Sequence, residues 1–258
     1  MDHDTDRPSY EPEAPTSLPP EPAATLSGPQ RLIKAFISPG EVFEDIMVKP
    51  TWVLALICML VLTVGAQMVV LPHMDNEATL RARLGDRAEE FSDEQIEEMV
   101  AGGQKITRFV PLITAVVVPV MWAILAGIFF LMLKMVGSET DYQRTLSATL
   151  HSYWPPSAVA TVLVVVLIQR VDKITEQEIP NLVKSHLGVL LPADAPGWLN
   201  GVASTFSVFN VWTFILLVIG FKIVGRLSTA KATVAVLVPW LVWLVGKAGL
   251  GTLQSMMS

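Results

Sequence analysis

Cysteine is almost absent from this 258-residue chain, since Cys58 is the only one and it falls inside a long apolar run. A single cysteine excludes an intrachain disulfide and a metal site built from several thiolates. The four histidines are His3, His73, His151 and His186, and none has the His-Glu-x-x-His spacing of a metalloenzyme. The sequence therefore predicts no metal and no other cofactor.

Sequence motifs of the common enzyme classes are missing as well. The chain has no Gly-x-Ser-x-Gly elbow, no P-loop, no dinucleotide-binding fingerprint and no kinase motif set. The glycines at 246, 249 and 251 have the spacing of close helix packing rather than of a phosphate-binding loop. We therefore expect no catalytic residues and predict that the protein is not an enzyme.

Charge is scarce: Asp, Glu, Lys and Arg make up 16% of the residues and hydrophobic types 52%. This balance predicts a core that lies in lipid. The net charge of −6 comes mostly from residues 1–30, so no nucleic-acid partner is indicated.

Residues 1–29 are acidic and proline-rich, which predicts a disordered tail, with proline-rich recognition as the alternative. A basic start followed by an apolar run is missing, so we expect no cleaved signal.

Uncharged apolar runs decide the fold class. Trp52–Leu71 has 20 residues without a charge, which is enough to cross a bilayer. The third apolar run is short, so its helix either begins earlier, near Leu146, or enters the membrane incompletely. We predict an all-α, polytopic transmembrane bundle over residues 30–251, followed by a short tail at 252–258. Its five spans are expected at about 52–71, 109–136, 153–169, 206–224 and 232–248.

A polar lead-in precedes the first span. The stretch 38–41, Ser-Pro-Gly-Glu, has the form of a capping box and predicts the start of a short helix with an apolar face. Together with the basic turn before it, this segment is expected to form an interfacial amphipathic helix. Arg31, Lys34 and Lys49 would meet anionic headgroups or serve as ordinary flanking anchors. The candidate surface for a protein or lipid contact is Ser38, Pro39, Val42 and Phe43.

The side-chain amides of Gln67 and Asn210 fall inside predicted spans. Polar groups at membrane depth are costly and often functional, so both are candidate intramembrane polar sites of a small-solute transporter. The segment between the first two spans carries a second capping box, Ser92 to Gln95, and a Gly102-Gly103 pair expected to end that helix. Its acidic residues predict a solvated helix face rather than a cation site.

The loop between the last two spans is short, so those spans are expected to be antiparallel neighbours. It carries Lys222, Arg226 and Lys231 and no acid, which favours the cytoplasmic side by the positive-inside rule. With five spans, the N-terminus is then also cytoplasmic. We expect a multi-pass protein of the cell (inner) membrane, whose partners are the lipid bilayer and a membrane protein, which a second copy of the chain could supply.

Several stretches, in order, resemble the Yip-one domain family in its bacterial branch over roughly residues 30–250. They are Phe36-Ile37-Ser38-Pro39 with Val42-Phe43, Asp141 to Leu146 with Ser152 to Pro155, Trp212 to Phe221, and Ser228 to Ala232. The resemblance implies an integral membrane protein without known catalysis, linked in eukaryotic relatives to vesicle traffic through small GTPases. The Asp-Leu-Tyr-Gly-Pro signature of those relatives is absent. We expect a non-catalytic scaffold or a membrane-organising, trafficking-like protein; the alternative is a small-solute transporter or an accessory subunit of one.

Overall fold

The computed structural model describes residues 24–192 and 195–257, with side chains left out at 197 and 250–257. Most of the predicted N-terminal tail, residues 1–23, lies outside the described part, as does residue 258 of the predicted C-terminal tail. Within it, the chain folds as α-helices joined by short 3-10 turns. These are α1 Gly28–Ile37, α2 Pro39–Val48, α3 Val53–Val70, α4 Asn76–Leu84, α5 Asp93–Thr107, α6 Val110–Met135, α7 Tyr142–Ile168, α8 Ile179–Leu182, α9 Gly197–Thr205, α10 Val208–Val224 and α11 Thr229–Met257.

Four helices of the described chain are long and apolar enough to cross a membrane. They lie at Val53–His73, Val110–Met135, Tyr142–Ile168 and Thr229–Gly249. The fourth predicted span is present as α10, an apolar helix of 17 residues that is shorter than the others. The all-α polytopic bundle is thus confirmed, whereas the predicted count of five spans is not. The reason is that the helix is interrupted before α10, at Phe206 and Ser207, which leaves α10 shorter than the other apolar helices.

The helix of the third span begins at Tyr142, which agrees with the earlier start considered near Leu146 and not with a start at residue 153. Asp141 caps it, because its side chain accepts a hydrogen bond from the Arg144 amide at 2.8 Å. The polar residues that follow do not interrupt the helix, since hydroxyls such as that of Thr149 donate to the carbonyl one turn back, at 2.8 Å. Pro155 and Pro156 lie within the same helix.

Helix α7 is central in the bundle, where it packs against α3, α6, α10 and both N-terminal helices. The main core lies where α2, α6, α10 and α11 meet around it. This cluster contains Val42, Phe43, Ile46, Phe129, Leu133, Ala148, Leu217, Phe221, Val224, Leu227, Ala232, Ala235 and Val236. Because the N-terminal helices contribute to that core, they are part of the bundle rather than an appendage.

The turn between α10 and α11 is as short as predicted, and the two helices pack against each other. Arg226 adopts a positive φ of 51° in this turn. The Ser138 hydroxyl, in the connection between α6 and α7, donates to the Gly225 carbonyl at 3.0 Å. This bond joins two inter-helix connections at the same end of the bundle.

The two longer polar segments meet at the opposite end. The Asp75 amide donates to the Ile174 carbonyl at 2.8 Å, and the Ile174 amide donates to His73 at 2.9 Å. Helix α5 begins with the predicted capping box, in which the Ser92 amide donates to the Gln95 side chain at 2.9 Å. It does not end at the glycine pair, because it continues to Thr107.

Candidate functional site

The second N-terminal helix, α2, is inserted into the bundle. Val42 and Phe43 are buried to 0% and 1% exposure, in the core next to α10 and α7. Gly220 makes room for the Phe43 ring, since a Cβ atom at Gly220 would lie 2.9 Å from a ring carbon. These two members of the predicted contact surface therefore pack inward in this structure, while Ser38 and Pro39 stay half-buried between α1 and α2.

The capping box predicted at residues 38–41 is not formed. Ser38 precedes α2 with φ −140° and ψ 59°, and its side chain makes no capping hydrogen bond. Glu41 instead forms an ion pair with Lys34, across the junction of the two helices. The hydrogen bond and the positive charge of Lys34 lower the pKa of Glu41 from its ordinary value. Pro39 at the first position of α2 is sufficient to start the helix.

Beneath this exposed pair lies a buried one, between Arg31 of α1 and Asp45 of α2. The Arg31 Nε donates to Asp45 Oδ2 at 2.6 Å, and a second guanidinium nitrogen lies 2.5 Å from the same oxygen. Arg31 is 2% exposed and Asp45 7%. The guanidinium also donates to the Thr51 hydroxyl, just before α3. This pair is the one in the described chain whose two side chains are both buried.

The other oxygen of the Asp45 carboxylate is held by the chain that leads into α1. The amides of Thr25 and Leu26 donate to Oδ1 at 2.7 and 3.2 Å. Burial acts to raise the pKa of Asp45, but these two hydrogen bonds and the Arg31 guanidinium outweigh it and lower the pKa from its ordinary value. The carboxylate is therefore ionised, as a partner for a buried guanidinium must be.

This ion pair fixes three successive segments to one another. Asp45 holds the entry to α1 through two amides, and Arg31 joins α1 to α2 and to the residue before α3. Trp154 adds a contact with the bundle, because its indole nitrogen donates to the Leu32 carbonyl at 3.2 Å. At the far end of α2, the Arg144 Nε donates to the Met47 carbonyl at 2.7 Å. Both N-terminal helices are thus fastened onto α7.

The sequence interpretation did not find this pair, because it treated Arg31 as a possible headgroup anchor and gave Asp45 no partner. One signal was available. Asp45 follows Val42 by three residues and precedes Ile46, so it falls on the apolar stripe of α2 rather than opposite it. An acid on a buried stripe requires a buried cation, and Arg31 lies one helix earlier.

A row of buried polar residues occupies the first turns of α7. It consists of Thr145, Ser147, Thr149, His151 and Ser152, none of which is more than 2% exposed. Most of these side chains bond to the carbonyl one turn back, including His151, whose Nδ1 lies 2.8 Å from the Ser147 carbonyl. The Ser147 hydroxyl is buried without a hydrogen-bond partner. No group of three potential metal ligands occurs in the described residues.

The two candidate intramembrane polar residues lie in different surroundings. The Gln67 side-chain nitrogen, on α3, donates to the Thr114 hydroxyl of α6 at 2.9 Å, while its oxygen is buried without a partner. Asn210 lies in the first turn of α10, where its side-chain nitrogen donates to the Thr205 carbonyl at 2.9 Å. Each residue thus has its own partner, on a different pair of elements.

Residues 33–250 of the chain match the Yip1 domain. The protein belongs to the Yip1 family. It is also similar to "Membrane protein YknW" of Bacillus subtilis (strain 168), at 26% identity over 218 residues, which cover 84% of this chain and 87% of the relative. No solved structure gives a significant match. The Yip1 region includes Asp45 and begins just after Arg31, so the buried pair lies at its N-terminal edge.

Proposed function

We propose that this Yip1-family membrane protein is a non-catalytic scaffold that organises the lipid and protein around it, with α1 as its contact element. The observation that supports this is the outward face of α1. Ile33 and Ile37 are 65% and 76% exposed, and Phe36 lies between them in the helix. The opposite face of the same helix holds the buried Arg31. An apolar face directed away from the bundle needs an apolar environment.

Two tryptophan rings of the bundle pack against Phe36 of α1. The Phe36 ring lies edge-on to Trp154 at 6.5 Å and to Trp212 at 6.3 Å between ring centroids. Tryptophan concentrates at the membrane interface, so this cluster supports a position of α1 at that level, with Ile33 and Ile37 directed to the acyl chains. A helix that lies in one leaflet displaces lipid there and presents a surface to neighbouring membrane proteins.

The positive charges at the end of the bundle where α10 turns into α11 support a cytoplasmic N-terminus in the inner membrane. The turn between α10 and α11 is flanked by Lys222 and Lys231 and contains Arg226. This turn meets the α6–α7 connection, and α2 packs against α10 at that end. By the positive-inside rule, a short loop with three basic residues stays on the cytoplasmic side.

The proposal predicts that the double variant Ile33→Ser/Ile37→Ser loses the organising activity and keeps its fold. Reconstituted into vesicles, the wild-type protein should remodel or cluster them in electron micrographs, and the variant should do so several-fold less. The apolar insertion, worth about 1.5–3 kcal/mol per buried side chain, is then missing. A matched control is Ile113→Ser, which removes an exposed apolar side chain from α6. Equal remodelling by the double variant and this control would contradict the proposal.

A second candidate, an accessory subunit or small-solute transporter, is favoured by one observation. Helices α9 and α10 follow one another and are separated only by Phe206 and Ser207, so they form a discontinuous helix. Transporters use broken helices at substrate sites. If this is the function, Gln67→Leu and Asn210→Leu should each reduce flux of the transported solute by tenfold or more in an uptake assay. Unchanged flux in both variants would remove this candidate.

A further inference from the structure

Helices α9 and α10 lie one after the other along α11. The ring of Phe214, on α10, is 6.4 Å from that of Trp240 on α11, and Phe206, in the break, is 5.1 Å from it. Further along, Gly201 of α9 approaches the Lys247 carbonyl so closely that a Cβ there would lie 3.4 Å from it. The two helices thus form one interrupted span antiparallel to α11.

The backbone at the interruption is satisfied by another part of the chain. The Leu187 amide donates to the Phe206 carbonyl at 3.1 Å, and the Val208 amide donates to the Ser185 carbonyl at 3.0 Å. Asn210 covers the Thr205 carbonyl. Irregular backbone at membrane depth occurs where it is buried in protein or lines a cavity. Here Phe206 is 37% exposed and lies in the wall of a cavity. Specific hydrogen bonds from other residues of the chain therefore stabilise the interruption.

Beside the interruption is an apolar cavity of about 180 Å³. Its walls include the Phe206 and Trp240 rings, with Val211, Phe214 and Leu237. Val211 is 51% exposed, so the cavity opens onto the outer surface of the bundle. The surrounding surface is apolar and belongs to two membrane helices, which means that the opening faces acyl chains. An apolar cavity of about 150 Å³ already takes up a benzene molecule, so this one has room for part of an acyl chain.

A cation lies further along α11, about two helical turns beyond Trp240. The Lys247 ammonium is 3.2 Å from the Ser204 hydroxyl, and Ser204 adjoins Thr205 in the cavity wall. No carboxylate among the described residues is within ion-pairing distance of Lys247. The Ser204 hydroxyl already donates to the Gly201 carbonyl at 2.9 Å, so the donor that remains for a phosphate oxygen is the Lys247 ammonium, and lysine binds phosphate as a point charge.

From the cavity and this cation we infer that the site binds an anionic phospholipid, with one acyl chain in the cavity and the headgroup phosphate at Lys247. The charge selects the headgroup, and the aromatic walls hold the chain. The occupant is a membrane lipid because the cavity opens between lipid-facing side chains such as Val211 and Val238. This site is independent of α1, so it does not rest on the proposed scaffold function.

Native mass spectrometry of the purified full chain, titrated with phosphatidylglycerol or phosphatidylcholine of the same chain length, tests this site. The wild-type protein should retain phosphatidylglycerol at least fivefold better. Lys247→Gln should abolish that preference, and Val211→Phe should fill the cavity and abolish retention of both lipids. Val208→Phe is the matched control, because Val208 is exposed on the same helix and does not line the cavity.

Two results would overturn the inference: equal retention of both lipids by the wild-type protein, or equal retention by the Val211→Phe and Val208→Phe variants. A second measurement needs no variant and covers the case of a misfolded one. A phosphatidylglycerol with a diazirine at mid-chain should label the peptide that contains Trp240 in the wild-type protein in vesicles. Labelling confined to the outer faces of α3 and α6 would refute the site.

Discussion

Replacing Arg31 with methionine is expected to lower the free energy of unfolding of the N-terminal helices by about 3–5 kcal/mol. The substitution removes one partner of a buried ion pair and leaves the Asp45 carboxylate in the interior without its cation. The Thr51 hydroxyl loses its partner as well. Hydrogen exchange in detergent micelles measures the effect directly, because the amides of Thr25 and Leu26 should lose their protection.

Two variants control for this result. Lys34→Met removes a cation from the exposed pair with Glu41 and should leave the free energy of unfolding nearly unchanged. The double variant Arg31→Met/Asp45→Leu removes both buried charges and should recover most of the lost stability, since replacing a buried pair with apolar residues is often neutral or favourable. If Arg31→Met and Lys34→Met have the same effect, the buried pair does not fasten the helices.

The buried pair of Arg31 and Asp45 predicts that the stability of α1 falls at acidic pH. The folded-state pKa of Asp45 is below its unfolded value, so the pair contributes fully above the unfolded pKa of about 3.9. That contribution is lost as the pH falls through the lower, folded-state pKa. The difference in protection between the wild-type protein and Asp45→Asn should therefore be constant above about pH 5 and shrink below about pH 4.

Replacing Phe43 with alanine is the second substitution with a large expected effect, about 3–5 kcal/mol of destabilisation. Phe43 is 1% exposed and packs where α2 meets α10, so its removal leaves a cavity against Gly220. Gly220→Ala should cost about 1–3 kcal/mol for the opposite reason, because the new methyl group overlaps the Phe43 ring. Thermal unfolding followed by circular dichroism would measure both.

The pair of positions can be tested as a cycle. In the double variant Phe43→Ala/Gly220→Ala the methyl group enters space that the ring has left, so the combined cost should be about 1 kcal/mol or more below the sum. Gly127→Ala is the matched glycine control, since no atom lies within 4 Å of a Cβ there and alanine favours helix. Additive costs in the cycle would show that α2 is not seated through this contact.

Much of the fold could be predicted from local pattern alone. Uncharged runs such as that of α3 locate membrane helices, because the cost of a charge in lipid is large compared with any packing preference. The Ser92 capping box was read correctly since both of its partners lie within one turn. The start of α7 was left open between residue 153 and an earlier start near Leu146, because its polar first turns look like a loop until their hydroxyls are seen bonded to backbone carbonyls one turn back.

The candidate site could be predicted only in part. The N-terminal lead-in was recognised as the place to examine, yet the two apolar residues expected at its contact surface, Val42 and Phe43, are in the core. Whether an amphipathic helix turns its apolar stripe to lipid or to protein depends on whether a groove exists to receive it. Here Gly220, far along the chain, provides that groove.

The sequence by itself determined that this is a helical membrane protein, because hydropathy and charge act residue by residue, and its match to the Yip1 domain shows the family. Only the tertiary structure decided that Arg31 and Asp45 are a buried pair and that a cavity lies beside the interruption between α9 and α10. Both features arise between side chains of different helices, α1 and α2 for the pair and α10 and α11 for the cavity. The entry to the membrane at α1 and α2 is thus part of the bundle, fastened by charge on one side and exposing an apolar face on the other.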